Sequence, residues 1–205
     1  MIEGITAGFI LSLTLFPGTV WLVKVGVCGN ARQVLAVGFA FWFSQLLWML
    51  VAIPGLMMMA RYLVFIRPGM HLFAAFVLLF LGFKFFRTKR VEQLDDVKTL
   101  PSAMSLFRQA LSQSFAMPMR LPAAMAILLA TGVYINHTPS WAVVPSVALG
   151  ALIGVSWWWG QFTFLSVCFA KRVPYPITIK SLNKIRPFCA ALSCFLAFVS
   201  ILLGF

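Results

Sequence analysis

Six long apolar runs, about Gly4 to Val27, Val34 to Met59, Met70 to Phe86, Leu106 to Ile135, Trp141 to Ala170 and Arg186 to Phe205, take up most of this 205-residue chain. A helix rising 1.5 Å per residue needs about 20 residues to cross the roughly 30 Å hydrocarbon layer of a bilayer. With 62% apolar residues, only 10% charged ones and a mean hydropathy of +0.98, the chain has too little polar surface for a soluble domain. The sequence therefore predicts an all-α polytopic membrane protein, with six transmembrane helices in one domain over residues 1–205. The first run is too long for a removed signal peptide and lacks its basic start and small-residue cleavage pattern, so it is expected to stay.

Inside the first run stands Phe16-Pro17-Gly18-Thr19. Proline removes a backbone hydrogen bond and glycine loosens the adjoining turn. Lipid offers no replacement partner, so a broken span is expected to face a cavity or a neighbouring helix. The second half has a counterpart, Met117-Pro118-Met119-Arg120-Leu121-Pro122, and paired breaks in matching halves point to a transporter's binding site. Helices one and four are thus expected to be broken at Pro17 and Pro118.

The halves share more than their prolines. Phe73-Ala74-Ala75-Phe76-Val77 leads to Leu81-Gly82-Phe83, and Phe195-Leu196-Ala197-Phe198-Val199 leads to Leu203-Gly204-Phe205 at the same spacing. Gly38 and Ser44 likewise match Gly150 and Ser156. Three spans per unit is an odd number, so the second unit must cross the membrane upside down relative to the first. The expected architecture is two inverted three-helix repeats, 1–90 and 105–205, joined by a cytoplasmic linker over 91–104. Their pseudo-two-fold axis would place a site near the midplane, between helices one and four.

A net charge of +12 suggests nucleic acid in a soluble protein, but here the basic residues gather beside helix ends. Lys24, Arg32, Arg87, Lys89, Arg90, Lys98, Arg108, Lys171, Arg172, Lys180, Lys184 and Arg186 all fall near the first, third and fifth loops. That asymmetry marks the cytoplasmic side, predicts both termini outside and argues against a nucleic-acid partner. The stretch Lys171 to Lys184 is expected to lie along cytoplasmic headgroups. Lys84 is expected to snorkel. The cysteines, Cys28, Cys168, Cys189 and Cys194, make no metal or redox spacing, and no nucleophile, base and acid set is present. Neither an enzyme nor a cofactor is expected.

Taken together, six spans, the Pro-Gly break, the Leu81-Gly82-Phe83-Lys84 end of helix three, Phe107-Arg108-Gln109-Ala110-Leu111 opening helix four and the proline at its break resemble the LysE-type family of bacterial amino-acid exporters. The resemblance runs from about Gly4 to Phe205. It implies an exporter of amino acids or related small metabolites in the bacterial inner membrane. The chain departs from the family at Thr19, where Pro-Gly-Pro is usual, at Met117-Pro118-Met119, where Asn-Pro-Lys is usual, and at Gln45, where many members have aspartate. With no acidic residue in a span interior, proton coupling through a carboxylate is not expected.

Arg120 is the one basic residue expected deep in a span. Facing lipid it would cost at least about 2.5 kcal/mol, so its expected partners are carbonyls freed by the breaks, Gln113, or an anionic group of a substrate; the alternative is that it reaches the headgroups. Ser12, Thr14 and Thr19, and Ser112, Gln113 and Ser114, either repair freed backbone or bind solute. Ser44, Gln45, Ser156 and Gln161 either line the same cavity or join helices. Of Trp157-Trp158-Trp159, at most one or two can face a cavity, and Trp158 is taken as the substrate-facing candidate. The candidate substrate-binding set is Pro17, Gly18, Thr19, Gln45, Gln113, Pro118, Arg120, Ser156 and Trp158. The functional expectation is export of a small molecule by alternating access, with the lipid bilayer as surroundings and homo-oligomer formation left open. The other reading is a diverged, non-transporting scaffold that binds a partner through its basic loops.

Overall fold

At Pro17 the first apolar run divides. It forms α1 (Ile2–Leu13) and α2 (Phe16–Cys28), inclined to each other by 64°. Helix α1 ends on Thr14, and α2 starts from Leu15 with its proline in the first turn, where a missing N–H costs nothing. The computed structural model describes residues 1–92, 100–117, 119–133 and 141–204, with the side chains of residues 16, 60–67 and 175 left out. Pro118, His137 and Phe205 therefore lie outside the described residues, as do Asp95 and Asp96. The remaining helices are α3 (Ala31–Arg87), α4 (Ala103–Phe115), α5 (Arg120–Ala130), α6 (Val143–Phe169) and α7 (Tyr175–Gly204), with no strand among the described residues.

A reciprocal cap opens α3, with Gln33 N–H donating to Asn30 at 3.0 Å and Asn30 N–H to the Gln33 side chain at 2.9 Å. Drawn straight, its 57 residues would extend about 85 Å. Instead Ser44 contacts Ser114 at 2.7 Å, while Leu81 and Phe85 share a cleft with Met117 and Arg120. Two places that a straight helix would hold about 60 Å apart thus meet one short stretch of chain. The element is doubled back into two arms, Ala31–Met59 and Pro68–Arg87, each long and apolar enough to cross a bilayer. Pro54 and Pro68 lie within it, and each removes a bond that would resist bending.

The two arms, α6 and α7 are four candidate spans, and the bent pair α1–α2 makes a fifth. The fourth expected run differs. It is two helices of 13 and 11 residues, about 20 and 17 Å long, and neither crosses a bilayer alone. Helix α7 also departs from expectation, starting at Tyr175 instead of Arg186. Lys180 and Lys184 are exposed, so their charges do not end the helix, and much of the expected headgroup linker is helical. The protein is an α-helical, multi-pass membrane protein.

Helices α1 and α6 run parallel, backbone against backbone. A Cβ on Gly4 would strike the carbonyl of Val147, and one on Gly8 that of Ala151; Gly150 and Gly154 stand in the same relation to Met1 and Ile5. Small residues four apart on both helices permit this approach, and dispersion at short range holds it without a hydrophobic drive. Helix α4 runs parallel to the first arm of α3, through Gln33 to the Pro101 carbonyl at 2.8 Å, Phe39 to Phe107, and Ser44 to Ser114. The first arm crosses α6 antiparallel, with Phe41 stacked on Trp159 and Trp42 donating to Ser156 at 2.9 Å. The second arm is antiparallel to α7. Gly82 packs on Ser193 and Cys194, and His71 contacts Ser200 at 3.3 Å. Beyond Arg87, Val91 is held by both ends of the Asn183 amide at 2.9 and 3.0 Å, and Arg186 donates to the Thr88 carbonyl.

Candidate functional site

The chemistry concentrates where α1 stops. Pro17 has no N–H to return to Leu13, and Leu15 N–H turns aside to Ser12 at 3.1 Å, so the last carbonyls of α1 lose their helical donors. Three side chains replace them. The Thr14 hydroxyl donates to Leu11 at 2.7 Å, and Cys189, on α7, reaches the Leu13 carbonyl at 3.4 Å. Arg120 supplies the rest: Nη1 donates to the Leu11 carbonyl at 3.5 Å and to the Thr14 hydroxyl at 3.3 Å, and Nη2 to the Thr14 carbonyl at 3.3 Å.

Arg120 is the first residue of α5 and only 6% exposed. Its cation meets the negative end of the α1 dipole, a favourable pairing in a medium of low dielectric. The described carboxylates are Glu3 and Glu92, and neither lines this place. The charge is thus met by carbonyl dipoles rather than by an acid. Freed carbonyls and a polar side chain were among its expected partners and are what it bonds, the side chain being Thr14 and not Gln113; an anionic group of a substrate was the third expectation.

Beside the guanidinium is a cleft of about 80 Å³, lined by Thr14, Pro17, Leu81, Lys84, Phe85, Thr88, Met117, Met119, Arg120 and Ala123. Five elements or connections thus meet at one small space. Lys84, expected to snorkel, shares this cleft with Arg120.

The other candidates separate. Pro17 is exposed to the cleft, whereas Gly18 is buried against Leu15 and Phe41. Thr19 is buried and donates back to the Leu15 carbonyl at 3.3 Å, which is backbone repair. Ser156 is taken up by the Trp42 indole, so it joins helices. Gln113 is exposed in an open polar depression with Trp21, Arg108, Gln109 and Ser112, not beside Arg120. Helix α4 buries Leu106, Ala110 and Ser114; Gln113, three residues after Ala110, sits at the flank of that face, where its side chain is exposed. Pro118 lies outside the described residues. Trp157 is 62% exposed and Trp159 1%; Trp158 lies between, edge-on to Phe9 and stacked on Phe162.

Gln45 behaves differently from all of these. Its side chain is wholly buried and neither amide atom has a hydrogen-bond partner, an arrangement that costs about 1–3 kcal/mol per group. The indole N–H groups of Trp48, Trp158 and Trp159 are also buried without partners. Trp159 stacks on Phe41, one helical turn from Gln45. Among the described residues no cluster of His, Cys, Asp and Glu could hold a metal ion.

No protein-family model, no curated protein and no solved structure matches the chain.

Proposed function

We propose that this protein is a secondary transporter that exports an amino acid or a related small metabolite across a bacterial inner membrane by alternating access. One observation carries the reading: the residue after one helix break, Arg120, is buried against the carbonyls opened by the other. A cation satisfied by backbone dipoles, with no carboxylate partner among the described residues, is a contact that a solute's anionic group can replace. Gln45, Trp158 and Trp159 add buried polar groups that the protein itself leaves unpartnered. Such groups are costly in a static structural protein and useful where solute or water passes.

The transport mechanism rests on six spans arranged as two inverted repeats, with α4 and α5 together as the fourth. Contacts related by the repeat support this. The offset that carries Gly82 to Gly204 carries His71 to Ser193; Gly82 packs on Ser193, and Gly204 packs on His71. Phe73, Phe76, Phe195 and Phe198 are exposed, while Ala74, Ala75, Leu196 and Ala197 are buried, so the matching residues keep the same faces. Parallel packing of α1 on α6 is likewise the counterpart of parallel packing of α4 on the first arm. The distribution of basic residues among the loops supports an orientation with both termini outside the cytoplasm. The interiors of the same spans hold no acidic residue for proton relay, Glu3 standing in the first turn of α1, which favours the second reading, a diverged scaffold of the same architecture.

Counterflow of labelled amino acids and their metabolites into liposomes, with and without a pH gradient, separates the two. Exchange of any solute that Arg120→Ala abolishes supports the transporter; no exchange by folded protein across the panel favours the scaffold. A reporter fused after residue 205 is expected to be active outside the cytoplasm.

A further inference from the structure

We infer that the cleft beside Arg120 takes a small net anion with an apolar body, and that it does not recognise an amino group. The inference deepens the transporter reading, and depends on it only in calling the ligand a cargo. Two basic residues line the cleft, the buried Arg120 and the exposed Lys84. They come from different elements, so local packing along one helix does not explain their meeting. The guanidinium uses Nη1 and Nη2 on α1, and among the described residues Nε–H has no hydrogen-bond partner. It stands on the first turn of α5, whose partial positive charge adds to its own. Among the described residues no acidic side chain lines the cleft.

A solute ammonium would therefore meet two like charges and no carboxylate, in surroundings where repulsion is weakly screened. A carboxylate would meet a planar fork and a mobile point charge. The remaining wall suits an apolar body, being Leu81, Phe85, Met117, Met119 and Ala123, with methionines able to adjust to its outline. A volume of about 80 Å³ is several times that needed by one water. An anionic lipid headgroup has the same head-and-body chemistry, so the test must distinguish a lipid from a soluble cargo.

The test is equilibrium binding to the full chain in phosphatidylcholine nanodiscs, using three solutes with one carbon skeleton: 4-methyl-2-oxopentanoate as the anion, leucine as the zwitterion and leucinamide as the cation, at about pH 6, where its amine is protonated. The anion is expected to bind at least about tenfold more tightly than leucine, and leucinamide least, because the first step adds an ammonium beside Arg120 and Lys84 and the second removes the carboxylate that they attract. Lys84→Gln, which leaves the Arg120 contacts intact, is expected to weaken the anion several-fold, and Lys84→Glu to reverse the order. Equal binding of all three, no binding at all, or an anion affinity untouched by Lys84→Gln overturns the inference. So does loss of anion binding when phosphatidylglycerol replaces part of the phosphatidylcholine, since the cleft then belongs to a lipid. Counterflow is read separately. Anion binding without counterflow overturns the transporter and leaves the site standing, whereas counterflow with no preference for the anion does the opposite.

Discussion

The two ends of α1 are built on opposite principles. Near its start, Gly4 and Gly8 let the backbone of α6 approach with no side chain between; at its finish, every contact that matters is a polar side chain reaching an orphaned carbonyl. The first kind of contact has one geometry and no substitute. The second is exchangeable, since a carbonyl or a guanidinium accepts another partner of the right charge. A rigid seam followed by a replaceable cap on one short helix suits a hinge, with the bend falling just past the cap, at Leu15.

The seam should be the more fragile end. Gly8→Leu is expected to abolish folding, because the added atoms meet the backbone of α6, which cannot rotate away as a side chain can; overpacking of this sort costs about 1–3 kcal/mol or more. Fluorescence-detected size exclusion of detergent extracts reads it, and a monodisperse peak of wild-type height would contradict the seam. Arg120→Ala is expected next, at about 3 kcal/mol from Thr14 and Leu11 left uncapped in low dielectric, with loss of counterflow. Arg120→Lys should recover part of the stability, read as a melting temperature, without the planar fork. If both variants melt like the parent, the cap contributes nothing.

Gln45→Leu should act in the other direction. Removing two unpartnered buried polar groups is expected to raise stability by about 1–3 kcal/mol while reducing counterflow, and a fall in melting temperature would mean that the amide is satisfied in the membrane. The smallest effect is expected at Ser156→Ala, about 0.6 kcal/mol for an interhelical hydrogen bond, with counterflow unchanged. Should that variant lose transport at normal stability, Ser156 belongs to the site and not to the helix contact.

The sequence carried the position of the first break almost to the residue, because proline's missing donor acts locally. The partners of Arg120 were legible as a class, freed carbonyls, but not as Leu11 and Thr14, since which chain end faces which is a tertiary fact. The four-residue spacing of Gly4 and Gly8 recurs in Gly150 and Gly154, and both pairs are legible in the sequence, but that they face each other is a tertiary fact. The place of Gln113 was not legible: three residues from Ala110 and seven from Leu106, it flanks the buried face of α4, and only tertiary packing puts it in the open depression away from Arg120. The start of α7 was set at Arg186 because an apolar run ends there, yet a helix continues wherever its backbone bonds are met, and Lys180 and Lys184 can stay exposed while it does.

The crosswise packing of α1 on α6 and of α4 on the first arm of α3 has a consequence for how the protein is made. Neither the first 92 residues nor the part from residue 100 onward contains its own partners: the glycine face of α1 waits for α6, and the polar cap of its end waits for Arg120 and Cys189. Translation delivers these pieces one after another, so the early segments must sit in the bilayer half-finished until the late ones arrive. Severed between those parts and produced from two genes, the chain should yield fragments that are degraded singly and rescue each other when co-expressed.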